Sequence, residues 1–255
     1  MIKSSNTIEC TQLVSSLDDY LNVGSIKESA INGLQIQGKK IIKHIAVAVS
    51  ANKRTIDKAT ELGVDALIVH HGLFWGQKVY PLEGIMRDRI SALLKADMNL
   101  IAYHLPLDVH AEVGNNAQIA RLLELPNASP HRSIKPTGLV YHVDAELSLQ
   151  ECCDRLSKKL GCEVKCYLPH PNYDRIKSLA WCTGAGADFM EQAEVDAFIT
   201  GEIKEHHFDE ARELNCAIIA AGHYATERFG VKALGEMIER QHDLHVSFIE
   251  EWSPL

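Results

Sequence analysis

The chain lacks any apolar run long enough to span a membrane, which excludes a transmembrane helix. Its opening residues, Met1-Ile2-Lys3-Ser4-Ser5-Asn6, lack the apolar core of a signal peptide, so the expected location is the cytoplasm. It has no CxxC pair. Its seven cysteines (10, 152, 153, 162, 166, 182 and 216) are odd in number and scattered, and they read as free thiols. Cys162 and Cys166, four apart, have no second thiol pair with which to close a soft-metal site. A long basic stripe is missing too, and the net charge is −8, which argues against general nucleic-acid binding. A local basic pocket for a nucleotide stays open. Neither a full dinucleotide fingerprint nor a P-loop is present. Gly184-Ala185-Gly186 after a predicted strand is only a fragment of a phosphate cradle.

What remains is a soluble-type composition, 46% hydrophobic and 24% charged over 255 residues, with 13 histidines, more than such a chain usually carries. The stretch that organises it is Val64-Asp65-Ala66-Leu67-Ile68-Val69-His70-His71-Gly72. An apolar, β-branched run of this length reads as a buried strand of an α/β sheet. Ligands of open α/β sheets bind at the carboxyl ends of strands, where His70 and His71 fall. Imidazole is the commonest protein metal ligand, so the pair suggests a metal; a hydrogen-bonded pair in a polar loop is the plainer alternative.

In chain order, residues 7–21 carry the spacing of a helix with one buried face (Ile8, Leu13, Val14, Leu17, Leu21). An extended segment follows over 31–36, then a strand over 41–49 and a helix over 50–62. With the organising strand these complete a right-handed β-α-β unit. The loop over 72–84 is rich in aromatics (Phe74, Trp75, Tyr80), either packing over the sheet end or walling a pocket. Residues 86–96 predict a helix and 99–103 a strand. Pro106 then excludes a helix interior and puts His104 and Asp108 in a strand-end loop. A helix follows to residue 125, and prolines at 126, 130 and 136 mark a linker. Beyond it come strands over 137–143, 163–168 and 176–183, with a helix over 148–160.

Then the pattern returns. Val195-Asp196-Ala197-Phe198-Ile199 repeats the organising strand, and the segment from Ile218 to Glu227, through Gly222 and His223, echoes that from Leu100 to Asp108. Each has an apolar strand, a histidine, and a carboxylate four residues on. The expectation is an α/β fold of two similar lobes, residues 1–128 and 129–255, related by approximate twofold symmetry through internal duplication, with a dinuclear metal site at their junction. Chance likeness of short apolar strands is the competing explanation.

The strand ends supply His70, His71 and Asp108 from the first half, and His223 and Glu227 from the second. Three imidazoles and two carboxylates exceed one closed tetrahedral site and suit two divalent ions such as Zn, Mn or Fe. Adjacent His70 and His71 point apart, one for each ion. Glu227, at i+4 from His223 on a helix, is placed to bridge them. His104, Glu202, His206 and Lys204 are candidates for proton transfer or substrate contact, and equally for hydrogen bonding to ligands. Asn32 and Gln35 are candidate cleft residues, while Gly33 more simply supplies a turn.

Val69-His70-His71-Gly72-Leu73-Phe74-Trp75, Ala102-Tyr103-His104-Leu105-Pro106-Leu107-Asp108 and Gly222-His223-Tyr224-Ala225-Thr226-Glu227 together resemble the NIF-three-like family, also named GTP cyclohydrolase 1 type 2. Asn32-Gly33-Leu34-Gln35, Gly114-Asn115-Asn116-Ala117 and Thr200-Gly201-Glu202-Ile203-Lys204 match further family segments, and the compact length resembles its bacterial branch. The resemblance implies a two-lobed protomer, a dinuclear site with His70, His71, Asp108, His223 and Glu227 as ligands, and a toroidal homohexamer with its metal sites facing inward. The expected function is a metal-dependent hydrolase acting through metal-activated water on a small, nucleotide-like substrate. A non-enzymatic metal-binding scaffold or partner protein is the alternative.

Overall fold

A computed structural model describes residues 6–76, 81–251 and 253. Tyr80, one of the expected pocket-wall aromatics, lies outside them. The chain forms two compact units, residues 1–107 with 230–251, and residues 108–229 with 252–255.

In the first unit the elements are β1 (Ile8–Glu9), α1 (Cys10–Tyr20), β2 (Gly33–Ile36), β3 (Ile41–Ile42), β4 (His44–Ser50), α2 (Lys53–Glu61), β5 (Ala66–His71), α3 (Gly84–Lys95) and β6 (Asn99–Ala102). The organising stretch is thus a strand, and Ala66, Leu67, Ile68 and Val69 are fully buried, as a strand covered on both faces requires. β4, β5 and β6 run parallel, with β2 antiparallel outside β6. Asn52 caps α2 by accepting the Thr55 amide at 2.9 Å. The α1 spacing does as predicted, burying Cys10, Leu13 and Leu17.

After the short α4 (Leu105–Asp108), the second unit contains α5 (Asn115–Leu123), β7 (Ser129–Pro130), β8 (Tyr141–Ser148), α6 (Leu149–Leu160), β9 (Lys165–Tyr167), β10 (Arg175–Cys182), α7 (Met190–Ala193), β11 (Ala197–Thr200), α8 (Glu205–Glu213) and β12 (Ala217–Ala220). Its sheet order is β7-β8-β10-β11-β12-β9, again with three parallel strands, β10, β11 and β12, at the centre. A core of Leu149, Leu156, Leu160, Trp181, Ile199 and Ile219 packs α6 on this sheet. The long α9 (His223–His242) follows, and β13 (His245–Phe248) pairs with β4 of the first unit.

The chain crosses between the two units at 107/108 and 229/230, and its C-terminal strand returns to extend the first sheet. One expectation needs correcting. Residues 105–108 are a single helical turn rather than a loop. Pro106 is its second residue, where no intrahelical N–H bond is yet due, so the ring is tolerated. Among the described residues no helix is long and apolar enough to cross a membrane.

Candidate metal centre

At the end of β5 in the first unit, His70 is fully buried and its Nδ1 lies 2.9 Å from the Tyr103 carbonyl oxygen. A carbonyl only accepts, so Nδ1 carries the proton and Nε2 the lone pair. Nδ1 of His71 is 3.0 Å from the Ser50 hydroxyl at the end of β4. His104, just before α4, has Nδ1 2.5 Å from Glu28 Oε2, which fixes the same tautomer as in His70. Donor atoms of His70, His71 and His104 lie within 4.8 Å of one another. The partners of the two Nδ1 atoms lie on opposite sides of β5, just past β6 and at the end of β4, while donor atoms of the two rings share one space.

Around that space the sequence candidates have structural duties. Asn32 accepts the His104 amide through Oδ1 at 2.8 Å and donates to Glu28 Oε1 at 2.8 Å. Gln35 Oε1 accepts the Leu73 amide at 2.7 Å. Trp75 stands edge-on to the His104 ring, centroids 4.9 Å apart.

The second unit presents carboxylates. Asp108 is buried, and its Oδ1 accepts the Asn115 side-chain amide at 2.8 Å. His223 opens α9; Nδ1 is 3.3 Å from Glu202 Oε2 and Nε2 is 3.0 Å from Glu227 Oε2, the i+4 pair that was predicted. Burial works against charge on His223, but the hydrogen bonds and charges of Glu227 and Glu202 outweigh it and push its pKa up to about 9. Asp108 and Glu227 both lie close enough to the buried Cys182 to raise its thiol pKa, after burial itself. A carboxylate oxygen of Asp108 and one of Glu227 lie within 4.8 Å of each other.

Local folding explains the placement. Gly184, at φ +64°, lies so close to α9 that a Cβ there would run into Glu227 Oε1. Its carbonyl accepts the Gly201 and Glu202 amides at 2.8 and 3.0 Å, and its amide donates to Thr226 Oγ1 at 3.1 Å. The Gly-rich fragment thus ties the ends of β10 and β11 to the first turn of α9.

His206 sits beside Asp188 and His207; its Nε2 is 3.9 Å from Asp188 Oδ1. These three form another group of metal-type donors, but the tautomers argue otherwise. Nδ1 of His207 accepts the Lys204 amide at 3.0 Å, so its Nε2 carries the proton, which it donates to Asp188 Oδ1 at 2.8 Å. The buried His207 is a hydrogen-bond anchor for Asp188. That interaction overrides the small burial cost and, with Lys204 and the two histidines, holds the Asp188 carboxyl below the ordinary range.

All seven cysteines are free thiols, as expected, and no metal-type group among the described residues includes one. Glu28, Ser50, Asp188 and His207 were missed in the sequence. Each sits in ordinary polar context, and its role comes from a partner distant in the chain or on the far side of a turn.

The donor chemistry fits divalent metal: three imidazoles in one unit, of which His70 and His104 turn Nδ1–H to an acceptor and leave Nε2 for a ligand, and buried carboxylates with an imidazole in the other. A family model described as Duf34/NIF3 (NGG1p interacting factor 3) matches residues 8–254. A protein of Yersinia pestis named GTP cyclohydrolase 1 type 2 homolog is 41% identical over 247 residues, covering 95% of this chain and 98% of that protein. One of the same name from Escherichia coli K12 is 40% identical over 248 residues, covering 96% and 98%. The crystal structure of TTHA1606 from Thermus thermophilus superposes with a TM-score of 0.90 at 36% identity, covering 97% of this chain and 100% of that one. Nearly full-length matches by sequence and by fold agree with the motifs at the strand ends: the chain belongs to the Duf34/NIF3 family.

Proposed function

We propose that this protein is a metal-dependent hydrolase in which His70, His71, Asp108, His223 and Glu227 together hold two divalent cations per chain (Zn, Mn or Fe). The observation that carries the reading is tautomeric. Nδ1 of His70 faces a carbonyl oxygen, which only accepts, so Nδ1 carries the proton and Nε2 is left as the ligating nitrogen. When bound, such a pair supplies Lewis acidity and ionises water near neutral pH. The chain's own groups then have defined tasks. Glu202 orients His223, Asn115 orients Asp108, and Gly184 leaves room for the Glu227 carboxylate. His104, Glu202 and His206 remain the candidates for contacting substrate or moving protons.

The relatives' name makes a nucleotide such as GTP the first substrate to try. Internal duplication, twofold-related lobes, a cytoplasmic location and a toroidal homohexamer belong to the same proposal. The duplication is supported by Asp65 and Asp196, which perform the same task in the two units, each accepting two backbone amides of the preceding strand region.

The test is an assay of a nucleotide panel, GTP included, with protein loaded with Mn, Zn or Fe and with His71→Ala and Glu227→Ala variants. Turnover lost together with metal supports the hydrolase. Metal lost with turnover unchanged contradicts it, and metal bound without turnover of any compound turns the reading to a metal-binding scaffold.

A further inference from the structure

We propose that Cys153 and Cys166, within the second unit, are an oxidisable pair: a hydroperoxide oxidises the Cys166 sulfur, and Cys153 then closes a reversible disulfide onto it. The pair uses none of the candidate metal ligands.

Three observations carry it. First, the fold brings the two thiols together. Cys153 lies in α6 and Cys166 in β9. α6 ends at Gly161, whose φ of +67° suits the left-handed cap, and a short connection returns the chain into β9 at the sheet edge. There β9 pairs with β12, Cys166 opposite Ile219, and the Cys153 thiol donates to the Cys166 sulfur. Cys162, the neighbour that spacing alone offers Cys166, turns its thiol to the Ala221 carbonyl oxygen at 3.5 Å instead.

Second, the pair can be reached. Leu149, Cys153, Val164, Cys166 and Tyr173 line one cavity of about 340 Å³, roomy enough for a peroxide. Cys153 is 7% exposed and Cys166 half-buried. The adjacent Cys152 lines a different recess, beside Leu123 and Arg155, where burial pushes its thiol up to about 11 and keeps it protonated.

Third, the two thiols are unlike. The hydrogen bond from Cys153 outweighs burial and lowers the Cys166 thiol below its ordinary value, while the same bond and burial keep Cys153 protonated. A thiol biased to thiolate, open to a cavity and set beside a resolving thiol, is the arrangement of redox-sensing cysteines.

With hydrogen peroxide as oxidant, Cys166 gives its proton to solvent and its thiolate attacks a peroxide oxygen. The S–O bond forms, the O–O bond breaks, and the departing hydroxide takes a proton to become water. Sulfur is oxidised by two electrons to the sulfenic acid, and the peroxide is reduced. The Cys153 sulfur then attacks that of Cys166; the S–S bond forms, the S–O bond breaks, and hydroxide leaves with the Cys153 proton as a second water.

The test adds hydrogen peroxide to reduced, full-length protein, caps remaining thiols with iodoacetamide and maps the peptides by mass spectrometry. The expected product is a disulfide joining Cys153 to Cys166, two hydrogens lighter than the reduced pair and reversed by dithiothreitol. Cys166 should react at least about tenfold faster than any other cysteine of the chain. In Cys153→Ser, oxidation should stop at a Cys166 sulfenic acid that dimedone traps; in Cys166→Ser, Cys153 should stay reduced. The wild-type map decides the matter even where a substitution at the buried Cys153 weakens the fold. Cys166 left reduced while other cysteines oxidise, or joined to Cys152 or Cys162, overturns the proposal.

Discussion

The two sheets carry opposite loads on the same frame. In the first unit β5 follows Val64-Asp65 and ends in two histidines; in the second β11 follows Val195-Asp196 and ends in Thr200-Gly201-Glu202. Both are central parallel strands, and the aspartate before each anchors the strand beside it. Asp65 Oδ2 accepts the Lys43 and His44 amides at 2.9 and 3.1 Å, and Asp196 Oδ2 accepts those of Lys177 and Ser178 at 2.7 and 3.0 Å. The frame is repeated while the chemistry diverges. The first unit presents imidazoles, His70, His71 and His104, and the second presents carboxylates, Asp108, Glu202 and Glu227, around a single His223. Scaffold residues and ligand positions thus answer to different demands, and mutations at each should separate cleanly.

The largest contrast is expected between two glycines of similar φ. Gly184→Ala forces a methyl against Glu227 and adds left-handed strain, which together should cost about 3–4 kcal/mol and weaken metal binding. Gly63→Ala, at φ +65° with open space around it, should cost only about 1–2 kcal/mol and leave metal binding intact. Chemical denaturation with metal titration checks both. Equal losses in the two variants would remove the steric argument at Gly184.

Next come the paired aspartates. Asp65→Ala and Asp196→Ala each strand two amides, at about 2–3 kcal/mol by denaturant melts. Asp65, only 13% exposed and 2.7 Å from Lys39 Nζ, should be the more costly. An Asp196→Ala variant as stable as wild type would break the equivalence on which the duplication leans.

A smaller effect is expected at the ligand supports. Glu202→Gln, which loosens the hold on His223 Nδ1, should weaken metal affinity about tenfold with the fold unchanged, measured by competition with a chelator. No change would leave Glu202 without a part in the site.

The smallest is a pH effect. Burial would raise the Asp65 carboxyl, but hydrogen bonds from Lys39, Lys43 and His44 and the Lys39 charge hold it below its ordinary value. A depressed carboxyl stabilises the fold fully above its unfolded value, about 3.9, and loses that contribution as pH falls through the folded value. The stability gap between wild type and Asp65→Asn should therefore be constant near neutrality and shrink below about pH 4.

The double histidine at a strand end was legible because a buried parallel strand needs an unbroken apolar run, and its termination stands out. The His223–Glu227 pair was legible because helical spacing is fixed. Aligned by sequence alone, the echo between His104 and His223 is one residue out of step with the structure. By the ladders, Ala102 lies opposite Val69 and Ala220 opposite Thr200. His104 therefore precedes its helix, His223 is the first residue of its own, and Asp108 corresponds to Thr226 rather than Glu227. Short apolar strands align equally well at neighbouring offsets, and only the hydrogen-bond register decides between them. Glu28 was illegible because its meaning lies wholly in His104, 76 positions later. The return of β13 to the first sheet was illegible as well, since nothing in a four-residue strand names its partner.

The central proposal is that this chain holds two divalent ions. Elemental analysis of gently purified, full-length protein tests it most directly. The account predicts two equivalents of divalent transition metal per chain, falling in both His71→Ala and Glu227→Ala; protein that carries none, and takes up none from a metal buffer, would contradict it.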